Sequence, residues 1–324
     1  MKSRYLLAAS AAVCLVLSGC ASSSGDAWET PRVPDPVPSF AETQALPFDA
    51  YALSPAIREQ LQLEHARLLS GCLAEYGMTA VFAGDYIQQV SDDPENPYWF
   101  QWGGRPGFRP MDQVQTYAYA QAPGTPWVNG SGFYISSPVN IFPVQTGDPI
   151  SDAKIAGVLF GPENASIPGS TGPAERLPAD EVPRDSRGAL PDEGGCYAAI
   201  EKKIDIPYID LRPLESEVLG LALHHDAVSA VNAQWVACME SKGYQYARFD
   251  EPMNDAQGMP TREKIDAATA DAKCTEESGW PDVFYDVLGA YQRQAIDRQP
   301  DLFPSALSAE TERLERMQEL IDAG

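Results

Sequence analysis

Three histidines, six cysteines and 46 acidic residues are the groups from which this 324-residue chain would build chemistry. His224 and His225 are neighbours, with Asp226 beside them. Read inside one long helix from about Leu214 to Lys242, adjacent side chains diverge by about 100° and do not converge on one metal ion. A helical zinc pair needs histidines at i and i+4, and no two here have that spacing. His65 falls on the apolar stripe of an earlier helix, where a packed ring is expected. The run SDDPEN at 91–96 lacks the alternating acids of a calcium loop and reads as an acidic turn. No Gly-x-Ser-x-Gly elbow, phosphate loop or dinucleotide glycine pattern occurs. Carboxylates are so many that choosing two as acid and base would be arbitrary. The expectation is no metal, no cofactor and no catalytic set. Cysteine is what remains.

Cys20 stands at the edge of an apolar run. Lys2 and Arg4 form a basic head, residues 5–17 are almost all apolar or small, and Leu17, Ser18, Gly19 and Cys20 follow. This is the layout of a secretory signal, and the run is too short to span a bilayer comfortably. Its end resembles the lipobox of bacterial lipoproteins. That resemblance implies a leader over 1–19, cleavage before Cys20, and a diacylglycerol, with palmitate among its acyl chains, on the Cys20 thiol. A thiol is the side chain nucleophilic enough to form such a thioether under mild conditions. Cys14, inside the leader, reads as a small hydrophobe. Residues 20–48 then read as a lipidated tether. The stretch ASSSGDAWETPRVPDPVPS is poor in apolar surface, and prolines at 31, 34, 36 and 38 favour an extended spacer. The expected location is the cell membrane, lipid-anchored, facing outside the cytoplasm.

Behind the tether, 44% apolar residues across the chain are enough for a real core. A net charge of −23 repels phosphate backbones and argues against nucleic-acid partners.

Four cysteines remain after Cys20: Cys72, Cys196, Cys238 and Cys274. An even count in an exported chain suggests two disulfides, with three connectivities open on paper. GCLAEYGM around Cys72 and ACMESKGY around Cys238 both read small-Cys-Leu/Met, three residues, Gly, apolar. Each closes a helical stretch. The first is capped by Ser54 and Pro55 and ends at Gly77; the second ends at Gly243. Each is followed by another cysteine in a helical context. The pattern is that of a duplicated unit, and it favours Cys72–Cys196 and Cys238–Cys274 over crossed pairing.

The runs VNAQWVACMESKGYQY, ADAKCTEESGW and VLGAYQRQAID are similar to a group of actinobacterial lipoproteins of uncharacterised function. These share a Trp-x2-Cys-Met-x3-Gly helix, an Asp-x-x-Cys-x4-Gly helix and a long terminal helix with a Tyr-Gln pair. The likeness covers roughly 210–320 and, more loosely, 54–84 and 190–204. It implies surface localisation and the disulfide framework, and no reaction.

The expected fold is mainly α: a disulfide-stapled helical domain of two related units. The first spans 49–208 and carries an irregular aromatic- and Gly/Pro-rich insertion over about 85–188. The second spans 209–324 and includes terminal helices at 282–298 and 305–322. Short strands are expected near 115–120 and 132–136, and exposed loop over 161–195. Trp99, Trp102 and Trp127 sit among turn residues and are the candidate ligand-binding side chains, since aromatic faces stack on sugars and pack on proteins. Two function classes stand. One is a non-enzymatic binding protein of the cell envelope, taking a cell-wall glycan or an envelope protein. The other is a glycan-directed envelope hydrolase working through carboxylates. Two structural disulfides, no nucleophile motif and an aromatic insertion favour the first.

Overall fold

The structure, a computed structural model, describes residues 27–40, 44–84, 107, 111–119, 141–143, 146–167, 175–249, 251–255 and 261–323. Cys20, Trp99, Trp102 and Trp127 lie outside the described residues, as does the strand expected at 132–136. The helices are α1 (Pro55–Glu75), α2 (Met111–Tyr117), α3 (Pro149–Phe160), α4 (Gly195–Ile204), α5 (Arg212–Leu223), α6 (Asp226–Ser241), α7 (Glu251–Asp255), α8 (Thr261–Ser278), α9 (Trp280–Arg298) and α10 (Leu302–Asp322). Two small antiparallel ladders join β1 (Phe82–Gly84) to β2 (Ile141–Pro143) and β3 (Ser166–Ile167) to β4 (Glu175–Arg176). The protein is mainly helical.

The matching ends of α1 and α6 have one cause. Gly77 and Gly243 both take a left-handed φ, +67° and +92°, that a side chain would resist. The Met78 amide reaches back to the Leu73 carbonyl, and the Tyr244 amide to Met239, closing the same C-terminal motif. In each helix the residue after the cysteine, Leu73 or Met239, is fully buried. Cys72 is bonded to Cys196 and Cys238 to Cys274. Beyond that point the units differ. Cys196 lies in the first turn of α4, and Cys274 lies near the end of α8. Gly195 enters α4 at φ +57°, where a Cβ would collide with the Val158 carbonyl of α3. That close approach starts α4 at the disulfide.

Two cores result. In the first, α1, α3, α4 and α10 bury Leu61, Leu69, Ile155, Val158, Ile200, Leu314 and Met317. Arg313 ties α10 to α4, donating to Glu201 at 2.7 and 2.9 Å and to the Ile206 carbonyl at 2.6 Å. The second core gathers α5, α6, α8 and α9 around Trp235, Met239, Trp280, Phe284 and Leu288, with Phe249 stacked on Trp280 at 3.8 Å.

Chain order does not divide these cores. The helix expected at 305–322 belongs by sequence to the second unit, but the Leu314–Met317 stripe of α10 fills the first core. Conversely α2, from the insertion, packs on α8 through Val114, Ala118, Tyr119 and Ala268. In place of the strand expected at 115–120, residues 115–117 end α2 and Ala118 leaves it at φ +51°, with Val114, Ala118 and Tyr119 buried against α8. Helix α3 was also unforeseen. Asp148 accepts hydrogen bonds from the Ile150 and Ser151 amides, and Pro149 takes the first turn.

Candidate functional site

The proline-rich segment does not stand off as a spacer in its described part. Residues 27–40 and 44–48 lie along α9 as a strap, running from its C-terminal end towards its start and then back. Arg298 donates to the Ala27 carbonyl at 2.7 Å and places its guanidinium 4.1 Å from the Trp28 ring centroid. Glu29 and Gln294 exchange two hydrogen bonds, at 3.0 and 2.8 Å. Further along, Phe40 stacks on Tyr285 at 4.6 Å and its amide donates to Asp282 at 2.7 Å. The Phe48 amide then donates to Gln292 at 3.2 Å in a buried position. Phe40, Leu46 and Phe48 are buried in the second core. Apolar residues spaced between the prolines give the strap something to bury, and α9 supplies the polar partners its backbone needs.

Where the strap crosses α5 and α6 it borders an open cleft of about 490 Å³. Thr30, Glu217, Leu221, His224, Asp226 and Tyr291 are among its walls. Glu217 accepts from the Trp28 indole at 2.7 Å, and Tyr291 meets Trp28 edge-on at 6.1 Å. Burial pushes the Tyr291 hydroxyl pKa up, against a hydrogen bond with Thr30.

The histidines make the cleft possible. Sequence ran one helix through them; the chain instead breaks, with His224 ending α5 and His225 capping α6. His225 Nδ1 accepts from the Ala227 amide at 3.2 Å, which leaves Nε2 carrying the proton, 3.0 Å from the Pro31 carbonyl of the strap. His224 Nδ1 lies 2.7 Å from the Gly220 carbonyl and donates to it, so in the neutral ring Nε2 keeps its lone pair. Both rings line one cleft, contrary to the divergence a continuous helix would impose. The signal was a side chain able to cap, beside Asp226 in a first turn. The cleft presents acceptors (Glu217, Asp226 and the His224 ring) beside the apolar surfaces of Leu221 and Tyr291. Among the described residues no three metal-binding side chains converge.

The residues that carry the lipoprotein resemblance are framework. Trp235 donates to Asp271 at 2.9 Å beside the Cys238–Cys274 bond, Gly243 closes α6, and Tyr291 and Gln292 hold the strap.

A second polar cluster lies in the first core. His65 is buried against Tyr197, ring centroids 5.4 Å apart, and its Nε2 has no hydrogen-bond partner. Burial holds the ring pKa below its usual 6.5, opposed by Glu201 and assisted by Arg313. The packed ring expected for His65 is what the structure contains.

The two disulfides suggest an extracytoplasmic protein. No described helix is long and apolar enough to cross a membrane. Comparison with protein-family models, with curated proteins and with solved structures finds no match to this chain, and the cleft is read from its own chemistry.

Proposed function

We propose that this protein is a lipid-anchored, extracytoplasmic binding protein of the cell envelope, of the actinobacterial lipoprotein group it resembles. The observation that carries the reading is the strap-bordered cleft, mounted on helices stapled by Cys238–Cys274 and walled by His224, Asp226, Leu221 and Tyr291. A stapled scaffold holds such a surface in one shape, which lowers the ordering cost of binding. Support for the anchor is the Leu-Ser-Gly-Cys run ending at Cys20. The partner classes are a cell-wall glycan or an envelope protein. Trp99, Trp102 and Trp127 are the aromatic candidates for a second contact.

The test has two arms. Metabolic labelling with palmitate should mark the protein, and Cys20→Ala should abolish the label and release the protein from membranes. Purified protein should retain a component of cell-wall or envelope extract. His224→Ala with Asp226→Ala should lose it, as should Trp99→Ala with Trp102→Ala and Trp127→Ala if the insertion takes part. Equal retention by wild type and every variant overturns the binding reading. Release of soluble saccharide from the wall fraction would assign the hydrolase reading instead.

A further inference from the structure

The strap changes what an anchor at Cys20 would do. Had the whole 20–48 segment been loose, its 28 Cα-to-Cα steps would let the body stand about 100 Å from the bilayer. The first described residue, Ala27, is already docked, its carbonyl held by the Arg298 guanidinium. Seven Cα-to-Cα steps separate Cys20 from Ala27, at most about 25 Å at full extension. A 100 Å tether would let the body turn freely above the surface. Seven steps keep it close, so the side facing the lipid matters.

That side is specified. Ala27 lies at the C-terminal end of α9, beside Trp28 and Arg298. Trp28 is half-buried, its indole N–H held by Glu217 and its ring beside the Arg298 guanidinium, and amphipathic rings of this kind favour a membrane–water boundary. Arg298 is exposed and offers a guanidinium of the geometry phosphate accepts. Along α9, a helix of 19 residues and so about 28 Å, the strap runs away from this corner towards Asp282.

We infer that the docked strap orients the protein on the bilayer, with the Trp28–Arg298 corner at the lipid headgroups and the His224–Asp226 cleft opening beside them. The inference rests on the lipoprotein reading and names the surface on which that reading operates. Lipid is the partner of this corner; the ligand of the cleft is then drawn from the layer next to the membrane.

The experiment reconstitutes the full acylated protein in phosphatidylethanolamine–phosphatidylglycerol vesicles doped with a lipid bearing a photoactivatable headgroup. Cross-linked peptides are mapped by mass spectrometry. Peptides holding 27–33 and 293–302 should carry several-fold more cross-links than the rest of the described surface. Gln294→Ala, which removes two strap hydrogen bonds and leaves Arg298 in place, should spread the cross-links while leaving vesicle retention unchanged. A lipidated protein with evenly spread cross-links, or with cross-links concentrated elsewhere, overturns the orientation alone. Absence of a diacylglycerol mass on Cys20 overturns the lipoprotein reading and this inference with it.

Discussion

The indole N–H of Trp235 donates to Asp271 at 2.9 Å across the seam between α6 and α8, one turn from the Cys238–Cys274 disulfide. Trp-x2-Cys and Asp-x2-Cys are both i, i+3 pairs, and residues so spaced share a helix face. Two helices are thereby joined twice at matching heights, once by a covalent bond and once by a hydrogen bond. Asp271 also accepts from the Thr275 hydroxyl at 3.3 Å, and Thr275 accepts from the Trp280 indole at 3.1 Å. A polar chain thus runs through an aromatic core.

Removing the acceptor should cost more than removing one donor. Asp271→Ala leaves buried donors unsatisfied and should destabilise the protein by about 1–3 kcal/mol, whereas Trp235→Phe keeps most of the packing and loses nearer 1 kcal/mol of hydrogen bonding. Urea unfolding without reductant measures both. The double variant should lose less than the sum of the two; additive losses would mean that the pair is not coupled.

The disulfides should contribute unequally. Cys72–Cys196 closes a sequence separation of 124 residues and Cys238–Cys274 one of 36. The entropy of loop closure grows with the logarithm of loop length, so losing the first should cost about 1 kcal/mol more than losing the second. Paired Cys→Ser variants compared in urea decide it. A larger loss from the shorter loop would show that packing around α6 and α8, rather than chain entropy, sets the order.

Acid should weaken the first core through His65. Its folded pKa lies below the unfolded 6.5, so the unfolded chain binds the proton first as pH falls. Stability should therefore decline below about pH 6.5 until the folded value is reached. Tyr197 and Glu201 of α4 and Arg313 of α10 surround the ring. Glu310 works the other way, since burial raises its pKa above 4.5 against Arg313 and Arg58. The folded state takes that proton first, which offsets part of the loss at lower pH. In His65→Gln the stability should change less between pH 7 and pH 5.5 than in wild type. Equal slopes in melting curves across that range would remove His65 as the cause.

Helix ends and cysteine spacing were the legible part of this fold. Ser54, Pro55, Gly77 and Gly243 act through local backbone geometry, and each does in the structure what its residue type favours. The pairing followed because Cys72 and Cys238 stand at equivalent places before equivalent caps. What was hidden depends on partners distant in sequence. Prolines at 31–38 promised an extended chain, and residues 27–40 form neither helix nor strand but bend at 35–36; that the segment lies on α9 depends on Tyr285, Gln292 and Gln294, some 250 residues away. The cleft was hidden for a related reason. Nothing in LALHHDAV interrupts helical periodicity, and the break exists because His225 caps α6 while also reaching the strap.

That double role of His225 can be separated by substitution. Its Nδ1 caps α6 through the Ala227 amide, and its Nε2–H donates to Pro31. Asparagine is a good N-cap but too short to reach the strap, so His225→Asn should keep the start of α6 and lose only the Pro31 bond. Alanine loses both, and the missing cap alone should cost about 1 kcal/mol of stability. Hydrogen exchange distinguishes the two effects. Peptides covering 27–40 should exchange faster in both variants, while the first turn of α6 should loosen only in His225→Ala. If strap exchange stays at the wild-type rate in both, the hold on this segment comes from Gln294, Arg298 and Tyr285 of α9 and Glu217 of α5, and His225 serves the helix break and not the strap.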